Sequence, residues 1–183
     1  DEKPAPSQSL EEILSQSLSK GAAVKVSGEH GEYAGSKAVD GRMSENSRWI
    51  IKGPGSLQLD LGEEKTFRSV YLASGWKRDP QHAAKNFDLQ AKTNGKWKTL
   101  PGGQVRENTN WIIPMLMDKP VKARQLRLLF KDEGFNRVYE VAVFADQPEI
   151  AGQEPSNLHH ARVCREVATE RDLFNFGGTF YEL

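Results

Sequence analysis

The sequence predicts an all-β domain, a sandwich or barrel, over residues 22–146. Three observations carry this. Short runs alternate apolar and polar residues, clusters of Gly, Pro, Asn and Asp separate them, and no helical periodicity intervenes. Ahead of this region, Asp1–Ser7 holds two prolines and several charges and reads as a flexible start. Ser9-Leu10-Glu11-Glu12 then has capping-box form, a hydroxyl followed three residues later by a carboxylate. Leu10, Ile13, Leu14 and Leu18 follow at helical spacing and Gly21 is a stop, which predicts a short amphipathic helix over 8–20. It is read either as packing on the domain or as a docking helix for a partner.

The strand signals run in order. Leu57, Leu59 and Leu61 alternate with Ser56, Gln58 and Asp60; Phe67, Val70 and Leu72 form the next run. Phe87, Leu89 and Ala91 alternate again, and Asn94-Gly95 marks a tight hairpin into Lys96-Trp97-Lys98. Leu126, Leu128 and Phe130 follow, and Val138–Phe144 closes the series. Asp146–Ser156 reads as a linker with Pro148, Gly152 and Pro155. Beyond it a second short helix is expected over 157–170, then an aromatic, glycine-rich strand over 171–183. The organisation is therefore 1–21, 22–146 and 147–183. The last part is taken as linker and extension, the start of a further module in a chain expected to continue past Leu183.

Composition narrows the function. The 183 residues carry 25 Lys+Arg and 25 Asp+Glu, a formal net charge of zero. Phosphate binding favours a basic excess, so no nucleic-acid partner is expected. No run approaches the roughly 20 apolar residues of a spanning helix, so no membrane insertion is expected. Mean hydropathy is −0.64, yet the zero net charge argues against wholesale disorder. The single cysteine, Cys164, excludes an intrachain disulfide and a multi-thiolate zinc cage. No charged start followed by an apolar stretch opens the sequence, so no signal peptide is expected within it.

Five motifs, in order, resemble the discoidin superfamily: coagulation-factor C domains and bacterial family-32 carbohydrate-binding modules. They are Ala38-Val39-Asp40-Gly41 leading to Asn46-Ser47-Arg48-Trp49, Leu57–Gly62, and Phe87-Asp88-Leu89-Gln90 with Asn94-Gly95-Lys96-Trp97. Ala123–Leu128 and Tyr139–Phe144 complete the set. The resemblance covers about residues 22–145. It implies an eight-stranded jelly-roll sandwich of two antiparallel sheets, with Trp49 and Trp97 in its core. The Asp-Gly loop is two residues longer before its Trp than the family form, and the hairpin reads Lys92-Thr93-Asn94-Gly95. The missing disulfide leans toward the bacterial members.

The resemblance also implies a structural Ca²⁺ held by Asp40, Ser47 and Glu140. Hard cations take oxygen ligands, and a tight loop supplies carboxylate, hydroxyl and carbonyl oxygens. The alternative is that Asp40 only caps its own turn and Glu140 is a solvated strand residue. For binding, loops that combine aromatics with Arg, Asn or His are the candidates, because an aromatic face stacks on a sugar ring while polar groups bond its hydroxyls. These are Trp76, Arg78 and His82 in one loop, Asn110 and Trp111 in a second, and Phe135 and Asn136 in a third, with His30 and Tyr33 in a glycine-bounded loop. Trp111, followed by Ile112 and Ile113, is read either as binding or as core.

No paired catalytic carboxylates, Gly-x-Ser-x-Gly elbow or phosphate loop is evident, so the domain is read as non-catalytic. His159, His160 and Cys164 fall on the expected second helix and are assigned to structure. The expected function is a carbohydrate-binding module of a larger bacterial protein that is secreted, periplasmic or at the cell surface. It would bind a glycan or glycoconjugate beside neighbouring domains. The alternative is a protein-interaction or structural module with no glycan site.

Overall fold

The computed structural model of the protein describes residues 9–148. The expected second helix, the final strand, and His159, His160 and Cys164 lie outside them. After helix α1 (Leu10–Ser15) come seven strands: β1 Ala23–Val26, β2 Trp49–Lys52, β3 Gly55–Ser74, β4 Phe87–Thr93, β5 Lys96–Val105, β6 Ile112–Phe130 and β7 Phe135–Phe144. Every strand pairing is antiparallel.

Two strands are far longer than the sequence suggests. β3 has 20 residues and β6 has 19, and they pair along nearly their whole length. The runs around Leu59 and Phe67, read as separate strands, are two limbs of β3 joined through a register shift between Asp60 and Lys65. Gly62, with φ +82°, supplies the left-handed residue of the bend, and its N–H donates to Asp60 Oδ1 at 2.9 Å. The first limb of β3 pairs with β1 and the C-terminal limb of β6, which carries β4 and β5 beside it. The second limb pairs with β7, whose start pairs with β2. All seven strands hydrogen-bond into one continuous sheet, which this ribbon folds into two antiparallel layers: the jelly-roll sandwich that was expected, with seven strands among the described residues where eight were expected.

Leu57, Leu59, Leu89 and Leu128 from one layer and Val70, Leu72, Ile113, Val141 and Val143 from the other form a single buried cluster. Trp49 lies fully buried in it, its ring 5.6 Å from Phe130, and its Nε1–H donates to Gly28 O. Trp97 does not join the core, which corrects the expectation. It stands opposite Lys92 on the outward side of β4–β5, half-buried, with the guanidinium of Arg127 4.6 Å and the ammonium of Lys92 5.6 Å from its ring. Those cations shield the ring that the partner sheet does not reach.

Strand β7 is buried on both sides because α1 covers the outer face of its sheet. Ile13 and Leu14 pack with Tyr71, Ile112, Ala142 and Phe144, and Leu10 and Trp111 flank them. The capping box forms as expected: Ser9 N–H donates to Glu12 and Glu12 N–H to Ser9 Oγ. The helix ends early, at Ser15, and the reason lies in two serines. Leu18 N–H donates to Val143 O at 2.7 Å, Ser19 Oγ donates to Val141 O at 2.6 Å, and Val143 N–H donates to the Ser17 and Ser19 hydroxyls. Past the end of β2, the free edge of β7 would otherwise bury unpaired amides. Residues 17–19 leave the helix to satisfy it.

Two outcomes follow. Ser19→Ala strands the buried Val141 carbonyl and is expected to destabilise the fold by about 1–3 kcal/mol, read by denaturant melts; an unchanged midpoint contradicts the edge assignment. Asp60 is bonded by Arg124, then by Gly62 N–H and Gln125, and its carboxyl lies at about 2, below its ordinary 3.8. Between those values the unfolded chain holds more protons. The contribution is thus present above pH 4 and lost as pH falls toward 2. Asp60→Asn is expected to lose less stability across that window, by under about 1 kcal/mol because the pair is exposed; parallel acid profiles for the two proteins contradict this.

Candidate functional site

The three expected cation ligands come together. Asp40 ends the 3₁₀ turn Gly35–Val39 and accepts from Arg42 N–H at 2.9 Å, so it does cap its own turn. Its other oxygen accepts the Ser47 hydroxyl. Glu140 is not a solvated strand residue: it is 1% exposed. One of its oxygens accepts Gly41 N–H at 3.0 Å and the other, Oε1, is buried with no hydrogen-bond partner among the described residues. Burial pushes its carboxyl up to about 8. The charge of Asp40 adds to this, while Gly41 N–H and Lys20 oppose it. Two carboxylates and a hydroxyl, with one carboxylate oxygen orphaned, make a hard-oxygen donor set that fits a divalent cation. No group of three or more His, Cys, Asp or Glu side chains suited to a metal occurs among the described residues, so backbone carbonyls or water would complete the shell.

The aromatic candidates sit at one end of the sandwich, where β3 finishes and β7 begins, with Ser74 opposite Val138. Ser74 Oγ donates to Arg137 O at 2.6 Å and accepts from Ala84 N–H at 2.9 Å, while Gly75 N–H donates to Arg137 O at 3.1 Å. These bonds fasten the loop 75–83 to the start of β7. Gly75 (φ +129°) is required, since a Cβ there would meet Asp79 O at 3.1 Å.

Trp76 (41% exposed) and Phe135 (38%) are the exposed large hydrophobic residues among those described. Trp76 lies 5.3 Å from His82, and Phe135 lies 5.2 Å from His30 in an edge contact. The Arg137 guanidinium is 4.9 Å from the Phe135 ring; burial first, then repulsion from Arg48, lowers its basicity. Arg78 is exposed and 5.6 Å from the Trp111 ring. Trp111 itself is half-buried and packs against the α1 cluster. Asn110 is half-buried, its N–H bonded to Asn108 Oδ1 at 3.1 Å.

Asn136, expected at the binding surface, is instead fully buried: its Nδ2 donates to Gly53 O at 2.9 Å and to Asp132 O at 3.3 Å. It holds the Phe135 loop from beneath. Asn108 plays the same part for its loop, donating to Ala84 O and Asn110 O.

A buried cluster beneath these loops was not read from the sequence. Arg48 is 4% exposed, with its guanidinium 5.6 Å from the Tyr33 ring and 5.4 Å from the Tyr139 ring, and it pairs with Glu45 at 3.1 Å. Its Nη1 donates to Gly75 O at 3.1 Å, and the Tyr139 hydroxyl donates to Glu45 Oε1. Tyr139 is the extra residue in the register between Ala73↔Glu140 and Ser74↔Val138, a β-bulge. Bulges re-aim side chains, and no sequence pattern marks this one. Arg48 beside the core Trp49 was the available signal.

The F5/8 type C domain profile matches residues 23–142. This chain belongs to the F5/8 type C domain family. Solved structures agree on the fold. The family 32 carbohydrate-binding module of Streptococcus pneumoniae EndoD superposes with a TM-score of 0.62 at 23% identity, covering 71% of this chain and 99% of that one. A Streptococcus pneumoniae fucose-binding module gives 0.61 at 17% identity, covering 71% and 95%. The family 32 module of Clostridium perfringens NanJ, solved with galactose, gives 0.56 at 20% identity, covering 72% and 95%. A search of curated proteins found no significant match. No helix among the described residues is long and apolar enough to cross a membrane.

Proposed function

We propose that this F5/8 type C domain is a non-catalytic carbohydrate-binding module of a larger, secreted or surface-held bacterial protein, presenting a glycan to neighbouring domains. One observation carries the reading. The exposed large aromatics among the described residues, Trp76 in the loop after β3 and Phe135 at the first position of β7, lie at one end of the sandwich, each against a histidine, with Arg137 over the Phe135 ring and Arg78 over that of Trp111. Exposed aromatic surface costs solvation unless something covers it, and a sugar ring supplies an apolar face with hydroxyls for the flanking His and Arg groups. The loops stand on buried Asn136, Asn108 and Ser74, so little ordering remains to be lost on binding. Structural neighbours that are glycan-binding modules from bacteria support the same reading.

The test is a glycan array followed by calorimetric titration of any sugar it selects. Trp76→Ala and Phe135→Ala are each expected to weaken binding about tenfold or more, roughly 1.4 kcal/mol. A blank array on folded protein, or a binder indifferent to both substitutions, contradicts the reading.

We further propose that Asp40, Ser47 and Glu140 hold a structural Ca²⁺. The ion would neutralise the Asp40–Glu140 repulsion and engage the orphaned Glu140 oxygen; its role is to fix the loop, not to react. Calcium in excess is expected to raise Tm over protein in chelator, in proportion to the logarithm of its concentration, and Glu140→Gln is expected to remove most of that gain. Equal melting with and without calcium contradicts it.

A further inference from the structure

Lys77 and Arg78, at the tip of the Trp76 loop, both have left-handed backbones, with φ of +52° and +55°. Trp76 and Asp79 bridge across them and Asp79 N–H donates to Trp76 O at 2.9 Å, so residues 76–79 form a type I′ turn. Such turns favour Asn-Gly because both central residues need φ > 0. Two long-chain residues that carry a Cβ each incur a steric cost there, and they persist only where surroundings over-determine them. Neither is a glycine, Asn or Asp, so the turn's own sequence does not account for its shape.

The surroundings do. A β-turn satisfies the amide of its fourth residue and leaves the two central amides pointing outward. Here Lys77 N–H donates to Glu45 Oε1 at 2.9 Å, and Arg78 N–H reaches the Tyr139 hydroxyl at 3.4 Å. That hydroxyl in turn donates to the same Glu45 oxygen. Arg48 holds Glu45 from the other side, by the 3.1 Å ion pair and by Nε to Glu45 O at 2.9 Å, and also bonds Gly75 O at the base of the loop. One carboxylate thus gathers an amide of the turn, a phenol from the β7 bulge and a buried guanidinium.

We infer that Glu45 is the positioning residue of the Trp76 turn: its carboxylate, braced by Arg48 and Tyr139, clamps a disfavoured type I′ conformation and so fixes where Trp76 and Arg78 present themselves to a ligand. The inference rests on the reading of this end as the glycan site for its functional consequence, but not for its structural one. Glu45 lies between Asp40 and Ser47 in the chain, so the clamp also joins the cation loop to the sugar-facing loop.

The experiment reads amide hydrogen exchange by NMR in wild type, Glu45→Ala, and Glu45→Ala combined with Lys77→Asn. Asn accepts φ > 0 and is at home in this turn. Glu45→Ala is expected to speed exchange at Lys77 and Asp79 tenfold or more, while the core amides of Leu57 and Leu59 keep their protection. Lys77→Asn is expected to restore protection at Asp79. In the binding arm, affinity for the array-selected sugar falls with Glu45→Ala and recovers in the double variant. Unchanged exchange at Lys77 overturns the clamp. So does an equal rise at Leu57 and Leu59, which would make Glu45 a general stability residue, and so does failure of Lys77→Asn to rescue. If the wild type binds no sugar, the glycan reading fails while the exchange result still decides the clamp.

Discussion

A single antiparallel ribbon has to serve two layers. β3 and β6 pair from Gly55↔Phe130 to Ala73↔Ile112, and the pairing survives only because the register slips between Asp60 and Lys65 and again between Phe67 and Ser69. Everything else is arranged around that constraint. The bend sets one limb of each strand against the other, so that Leu57 and Leu128 face Val70 and Ile113 across one core. Burial of such residues is the dominant stabilising term. It also decides which strand ends coincide. Once the second limb of β3 pairs with β7, the end of β3 lies beside the first part of β7, and the loop bearing Trp76 and the strand start bearing Phe135 come to the same end.

The polar groups beneath that end are bonded inward. Ser74, Asn108 and Asn136 are buried and spend their hydrogen bonds on loop backbone, not on solvent. Arg48 is buried between two tyrosine rings and bonds both Glu45 and Gly75. A buried guanidinium without its carboxylate would be costly, so this pairing is a constraint and not an ornament. The aromatics left outside are then held at the surface by residues that cannot easily move. Further along β7, past the end of β2, the same accounting turns Ser17–Ser19 out of a helix to cover the strand edge.

Much of this was legible in the sequence, because it depends on local pattern. The alternation of Leu57, Leu59 and Leu61, the Asn94-Gly95 turn and the capping box all appear where local chemistry puts them. The convergence of Asp40, Ser47 and Glu140 was legible through family resemblance alone, since Glu140 lies far along the chain. What escaped depends on register and on long-range partners. Trp97 looked like core until its pairing with Lys92 turned it outward. Asn136 looked like a ligand contact until burial claimed it. The Glu45–Arg48–Tyr139 cluster requires a bulge that no periodicity announces, and the helix stops at Ser15 because of hydroxyl bonds to a strand more than a hundred residues away.

One end of this sandwich is proposed to form a single ligand surface. Amide chemical-shift mapping during titration with simple sugars, galactose and fucose first, tests it most directly. Shifts confined to residues 30–33, 75–82 and 135–137, with the outer sheet faces silent, are the predicted result. Saturable shifts centred on Trp97 or on α1, with the Trp76 and Phe135 loops unmoved, would contradict it.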